Sequence, residues 1–180
     1  MPADLKYRDI VREIALDQYG YVTTRDAVAA GVPAVELPKL AARGGLQNVV
    51  YGLYRVPDIP PTRFDQFAEA LLRVGPEAYL HGESVLALLE LADVNPRQIQ
   101  VATPRRARSK LPAFVDLTWV KNEVRTLMYE GIESQPLVDA LLECGGRIEN
   151  DRLLVAAKQA RSAGLLTTTE WRETIKGLQL

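Results

Sequence analysis

Apolar and polar positions along the chain repeat at two different periods, one helical and one of extended strands. Leu5, Ile10, Val11, Ile14 and Leu16 recur at helical spacing among Asp9, Arg12, Glu13 and Asp17, and Gly20 stops the run, which predicts a first helix over 5–19. Thr23 or Thr24 can cap a brief second helix over 25–30 that ends at Gly31. A third helix is expected over 34–43, where Val35, Leu37, Leu40 and Ala41 form a stripe and Gly44–Gly45 close it. Pro38 inside that stretch lacks a donor N–H, so it is tolerable only within the first turn and pushes the helix start late. Residues 46–57 (LQNVVYGLYRVP) are β-prone, with Gly52 available for a bend, and predict a two-stranded ribbon. Pro57, Pro60 and Pro61 then interrupt any ladder, which places a domain boundary near residue 60.

Beyond that joint, Thr62 is expected to cap a helix with Phe64, Phe67, Ala68, Leu71 and Leu72 at i, i+3, i+4, i+7 and i+8. A short helix over 83–91 gives way after Asn95–Pro96 to a strand at 98–102, a second strand at 113–120 and a third within 124–132. The remainder, 137–144, 151–163 and 168–178, is helical, with Thr167 to Thr169 as cap candidates. The expected class is therefore α/β in the α+β sense. A winged helix-turn-helix occupies residues 1–60, and a mixed domain with a small sheet flanked by helices occupies residues 61–180.

Composition adds exclusions. The 180 residues are 47% hydrophobic and 25% charged, which rules out disorder and lets a chain of this size bury roughly 70% of its unfolded surface. Net charge is −1, so a uniformly basic, histone-like protein is excluded. Cys144 is the single cysteine, which forbids an intramolecular disulfide or a multi-cysteine zinc site and suits a reducing compartment. With no apolar run of membrane-spanning length and a charged N-terminus, a cytoplasmic protein without membrane partners is expected.

Three short helices followed by a ribbon give the order of elements of a winged helix-turn-helix. A helix fits the major groove of duplex DNA and a ribbon can lie on the backbone or enter the minor groove. The candidate contacts are Lys39 and Arg43 on the third helix, and Gln47, Asn48, Tyr51 and Arg55 on the ribbon. Charge neither favours nor forbids this. Residues 1–60 hold Lys6, Arg8, Arg12, Arg25, Lys39, Arg43 and Arg55 against Asp4, Asp9, Glu13, Asp17, Asp26, Glu36 and Asp58, a neutral balance.

Positive charge gathers elsewhere. Between 97 and 125, Arg97, Arg105, Arg106, Arg108, Lys110, Lys121 and Arg125 face only Asp116 and Glu123, an excess of five. The densest part, Arg105, Arg106, Arg108 and Lys110, is expected on a surface loop between strands, where it can take nucleic-acid phosphate or an acidic protein face.

No catalytic residue, metal site or cofactor is predicted. His81, the single histidine, has Glu83 and Ser84 at spacings that do not build a triad, and Cys144 has no histidine nearby in sequence. Asp116 with Glu123 and Arg125 is the one arrangement that faintly suits a metal-dependent nuclease, but arginine does not shuttle protons as lysine does. Walker-type and dinucleotide glycine loops are absent.

Gly31-Val32-Pro33, Leu37 and Leu40, Gly45-Leu46 and Tyr51-Gly52-Leu53-Tyr54-Arg55-Val56-Pro57 together resemble the N-terminal domain of AbiEi-type antitoxins. Tyr79-Leu80-His81-Gly82-Glu83-Ser84-Val85-Leu86-Ala87-Leu88, then Ile99-Gln100-Val101-Ala102-Thr103-Pro104-Arg105-Arg106, is similar to that family's second part, so the likeness spans residues 5 to about 145. It implies a winged-helix domain that binds double-stranded operator DNA and represses its own operon. It also implies a larger domain that counteracts a cognate nucleotidyltransferase-like toxin. The glutamate and proline at 36 and 38 depart from the more basic third helix usual there. The residues alone leave open a second reading, an interaction module that never touches DNA and binds protein through its basic loop.

Overall fold

A computed structural model describes residues 3–105, 110–121 and 124–179. They form a mixed α/β protein with eight helices and two small sheets. The chain divides into two compact units, residues 1–73 and 74–180, further along than the proline-marked joint at residue 60. The helix expected to open the second part is instead packed on the first.

In the first unit α1 (Ala3–Asp17) leads to β1 (Tyr21–Thr23), α2 (Thr24–Ala29), α3 (Glu36–Ala42), β2 (Gln47–Val50), β3 (Leu53–Arg55) and α4 (Asp65–Val74). β1 was not legible as a strand. It is three residues long, and pairs antiparallel with β3 to make a three-stranded sheet in the order β1-β3-β2. Thr23 caps α2, its hydroxyl accepting from Asp26 N at 3.1 Å and donating to the Asp26 carboxylate. Gly52 takes φ +78° in the turn joining β2 to β3, a backbone conformation that side chains beyond Cα resist. Val11, Ala15, Val22, Leu37, Leu40, Leu46 and Tyr54 build one core, and Tyr21, Leu53 and Ala68 a second where α4 meets the sheet.

α4 is held there by named contacts. The Arg55 guanidinium donates to Asp65 at 3.1 Å and to the Ile59 carbonyl at 3.1 Å, and Tyr21 Oη donates to Glu69 at 2.7 Å. Glu69 also pairs with Arg73. Burial, followed by the Glu69 hydrogen bond, raises the Tyr21 pKa well above the phenolic range.

The second unit runs β4 (Tyr79–Leu80), α5 (Glu83–Leu88), β5 (Ile99–Thr103), β6 (Val115–Trp119), β7 (Leu127–Tyr129), β8 (Ile132–Ser134), α6 (Leu137–Glu143), α7 (Asn150–Ser162) and α8 (Thr168–Leu178). The single strand expected within 124–132 is a hairpin of two, β7 and β8, turning at Glu130–Gly131. The five-stranded sheet has the order β6-β5-β4-β8-β7, with β5–β6 and β4–β8 parallel and the other neighbours antiparallel. Leu80, Val101, Leu86, Leu88, Leu137, Leu141 and Leu153 are fully buried between sheet and helices. Thr167 caps α8 in a reciprocal box with Glu170, as its position in the sequence suggested.

Candidate nucleic-acid interface

α3 begins at Glu36, two residues later than the stripe alone indicated, because Pro38 can sit only where no intrahelical donor is required. It lies in the first turn. Leu37 and Leu40 point into the core while Pro38, Lys39, Ala42 and Arg43 are exposed. Gln47 and Asn48 at the start of β2 are exposed, and Tyr51 at the hairpin turn is wholly exposed. Five of the six expected contacts are thus on the surface of α3 and the hairpin.

Arg55 is the exception. Its side chain is only 16% exposed, is tied to Asp65 and the Ile59 carbonyl, and lies over the Tyr21 ring. It anchors α4 and does not reach outward with the other five. The sequence signal for this was the carboxylate at Asp65, ten positions on, invisible without knowing that α4 folds back.

Other cations of this unit are matched in the same way. Arg8 pairs with Asp58, Arg25 with Asp26, Lys39 with Glu36 at 2.7 Å, and Arg73 with Glu69. Arg63 and Arg73 add to Asp65 and Glu69, so residues 1–73 remain neutral, at nine basic and nine acidic side chains.

In the second unit, Arg105 follows β5 and pairs with Glu77, which holds the Glu77 carboxyl below its usual range. Lys110 is exposed, while Arg106 and Arg108 lie outside the described residues. Of the nuclease arrangement, Asp116 and Arg125 are exposed and Glu123 lies outside the described residues; no cluster able to hold a metal occurs among those described.

His81 has a partner that spacing could not reveal. Its Nδ1 lies 2.8 Å from Glu143 Oε1, at the end of α6. Glu143 also accepts from Gln135 Nε2, and the Gln135 amide oxygen accepts from Gly82 N. Gln100 Oε1 accepts from Glu83 N, and Ser84 Oγ accepts from Gln100 N. Gly82 adopts φ +53° and ψ −130°, where a Cβ would fall 2.7 Å from Gln100 Oε1. This network joins β4, β5 and α6 around the start of α5, and leaves His81 Nε2 buried without a hydrogen-bond partner among the described residues. The Ser84 hydroxyl is occupied within it and Glu83 enters it only through its backbone N–H, while His81 Nδ1 is turned to Glu143, so the three do not line up as a nucleophile, base and orienting acid. The neighbouring Cys144 thiol is buried and pushed up to about 12, first by burial and then by Glu83 and Glu143, which leaves it protonated.

A groove of about 440 Å³ lies between Glu77, Tyr79, Pro104, Val124, Thr126 and Glu133. Both its carboxylates are already engaged, Glu77 by Arg105 and Glu133 by Thr126. No helix among the described residues is long and apolar enough to cross a membrane.

No protein-family model and no curated protein matches the chain. Among solved structures it is similar to the crystal structure of the RV2827C protein from Mycobacterium tuberculosis, with a TM-score of 0.46 and 14% identity over 99% of this chain and 77% of that one.

Proposed function

We propose that residues 1–73 act as a winged-helix reading head for double-stranded operator DNA, with α3 in the major groove and the β2–β3 hairpin as the wing. In this reading the protein is an antitoxin-type autorepressor whose second unit counteracts a cognate toxin. The supporting observation is the surface shared out between α3 and the hairpin. Lys39, Arg43, Gln47, Asn48 and Tyr51 are all exposed, while the residues between them, Leu37, Leu40, Leu46 and Leu53, are buried to hold the two elements in place. Polar amides can read base edges, and an exposed tyrosine on a short hairpin can contact sugar or backbone. The element order α1-β1-α2-α3-β2-β3 agrees with the winged-helix reading.

The neutral charge makes a quantitative demand. With Lys39 and Arg43 the exposed cations on α3 and the hairpin, the slope of log affinity against log salt should be shallow, since each neutralised phosphate contributes about −0.9. A mobility shift with the DNA upstream of the protein's own gene tests this. Arg43→Ala and Tyr51→Ala should each weaken specific binding by on the order of 1–3 kcal/mol. Unchanged affinity in both variants overturns the assignment of the face, and absence of any shift overturns the DNA reading.

A further inference from the structure

We propose that α4 is the strut of the wing: its docking on the sheet holds the tip of the β2–β3 hairpin where Tyr51 can meet DNA, with Ala68 and Leu72 as the positioning residues. This rests on the DNA reading above and adds to it the element that sets the wing. The sheet of the first unit separates two apolar clusters, and neighbouring residues of β3, Tyr54 and Leu53, face one each. The two halves of the reading face stand on different clusters. Leu37 and Leu40 of α3 belong to the one shared with Val11 of α1 and Ala27 of α2. Val49, Val50 and Leu53, at the tip end of the hairpin, belong to the other, with Tyr21 of β1 and Ala68 and Leu72 of α4.

β2 reaches that second cluster because its ladder is irregular. Gln47 pairs with Arg55 and Asn48 with Tyr54, but Leu53 pairs with Val50, so Val49 is an extra residue in the strand. Consecutive residues of a regular strand point to opposite faces, whereas a bulge bends the strand and re-aims its side chains. Val49 and Val50 accordingly both pack against the α4 cluster, and Tyr51, next in the turn, is left wholly exposed. Two apolar side chains are thus committed to α4 immediately before the tyrosine of the wing.

Polar contacts fasten α4 over this seam. Tyr21 Oη donates to Glu69 at 2.7 Å, Arg73 pairs with the other oxygen of Glu69 at 2.7 Å, and Arg55 of β3 donates to Asp65 at 3.1 Å. On the opposite side the turn is tied by Thr24 N, which donates to Gly52 O at 2.8 Å. That bond fixes one point of the turn; the two valines need a surface, and α4 supplies it. A short hairpin is marginal in water by itself, so its tip takes the position that its apolar contacts allow.

The test uses the full chain and reads the hairpin and the DNA separately. Ala68→Asp places a carboxylate in the apolar seam, and Leu72→Ala thins the seam more gently. In NMR spectra of the free protein, either variant should move the amide signals of residues 49–53 while those of α3 stay in place. In mobility shifts with the upstream DNA, Ala68→Asp should weaken binding about tenfold and Leu72→Ala about threefold, and Leu72→Met, which keeps the volume, should restore it. Double variants decide between positioning and bulk stability. Tyr51→Ala should cost less than about twofold on top of Ala68→Asp, whereas Arg43→Ala should keep its full effect in that background. A role confined to general stability would leave both pairs additive, and that result would overturn the proposal. So would α3 signals that move as far as those of the hairpin. If Ala68→Asp does not fold, Leu72→Ala carries the same comparison. No DNA shift by the parent chain would remove the DNA reading and this proposal with it; a parent that binds while both variants bind equally well would remove the proposal alone.

Discussion

The two units hold their positive charge in opposite ways. In the first, five basic side chains are paired with carboxylates within the unit, and the most buried of these pairs, Arg55–Asp65, fixes a helix rather than facing outward. In the second, bases accumulate around β6 and its flanks while acids are scarce there. What the first unit exposes on α3 and the hairpin is therefore two cations, Lys39 and Arg43, two amides and a tyrosine. The second carries its basic excess between residues 97 and 125, where Arg105 is paired with Glu77. A count of charges over the whole chain, close to zero, conceals both facts.

The largest effect that would sharpen this contrast comes from the first unit's core. Leu37 is fully buried beneath α3, and Leu37→Ala should cost about 3 kcal/mol in urea unfolding and eliminate the DNA shift, since the exposed side of α3 is held by its buried side. Next is Arg55→Ala. Removing the guanidinium leaves a carboxylate that is 13% exposed with only the Thr62 amide and hydroxyl as donors among the described residues, so stability should fall by about 2 kcal/mol. A loss of DNA affinity without that loss of stability would break the comparison, because Arg55 would then be facing outward after all. Gly82→Ala in the second unit should cost about 2 kcal/mol by forcing a side chain into a glycine-only conformation against Gln100; an unchanged unfolding midpoint would show that the network around His81 is slack.

Smaller effects separate the units by pH and by salt. Glu143 has its pKa held below 4.5, chiefly by the hydrogen bond with His81 and against the opposing effect of burial. A carboxylate with a depressed folded value contributes stability that is complete above its unfolded pKa and is lost as pH falls through the folded one. Glu143→Gln should therefore flatten the acid limb of a stability–pH curve below pH 4.5, and a curve that stays equally steep would remove His81–Glu143 as a contributor. The smallest effect concerns Glu36. Its pair with the exposed Lys39 should contribute no more than about 0.5 kcal/mol to stability, so Glu36→Gln should leave the unfolding midpoint almost unmoved. By releasing Lys39 it should instead tighten DNA binding and steepen the salt slope by about one phosphate's worth.

Long periodic elements were legible in the sequence because burial of one face leaves a repeat of 3.6 or 2 in the residues themselves. α1, α7 and α8 follow such a pattern, as do β5 and β6. Glycine and proline marked the stops, and the proline at 38 correctly delayed the start of α3. β1 and β4, with three and two residues, are too short to show any period and exist only because a neighbour pairs with them. The hairpin of β7 and β8 was blurred into one strand for the same reason.

Sequence by itself determined that this is a mixed α/β chain with its exposed polar residues on α3 and the following hairpin, since local spacing decides which side chains an element can bury. Tertiary structure alone decided what the charges and polar groups do. It joined Arg55 to Asp65 and Tyr21 to Glu69, moving α4 into the first unit, and it brought His81 to Glu143 across 62 positions. It also left β6 at the end of its sheet. These are contacts between residues far apart in the chain, and no local repeat records them, because the free energy that selects them arises only once distant elements are packed together.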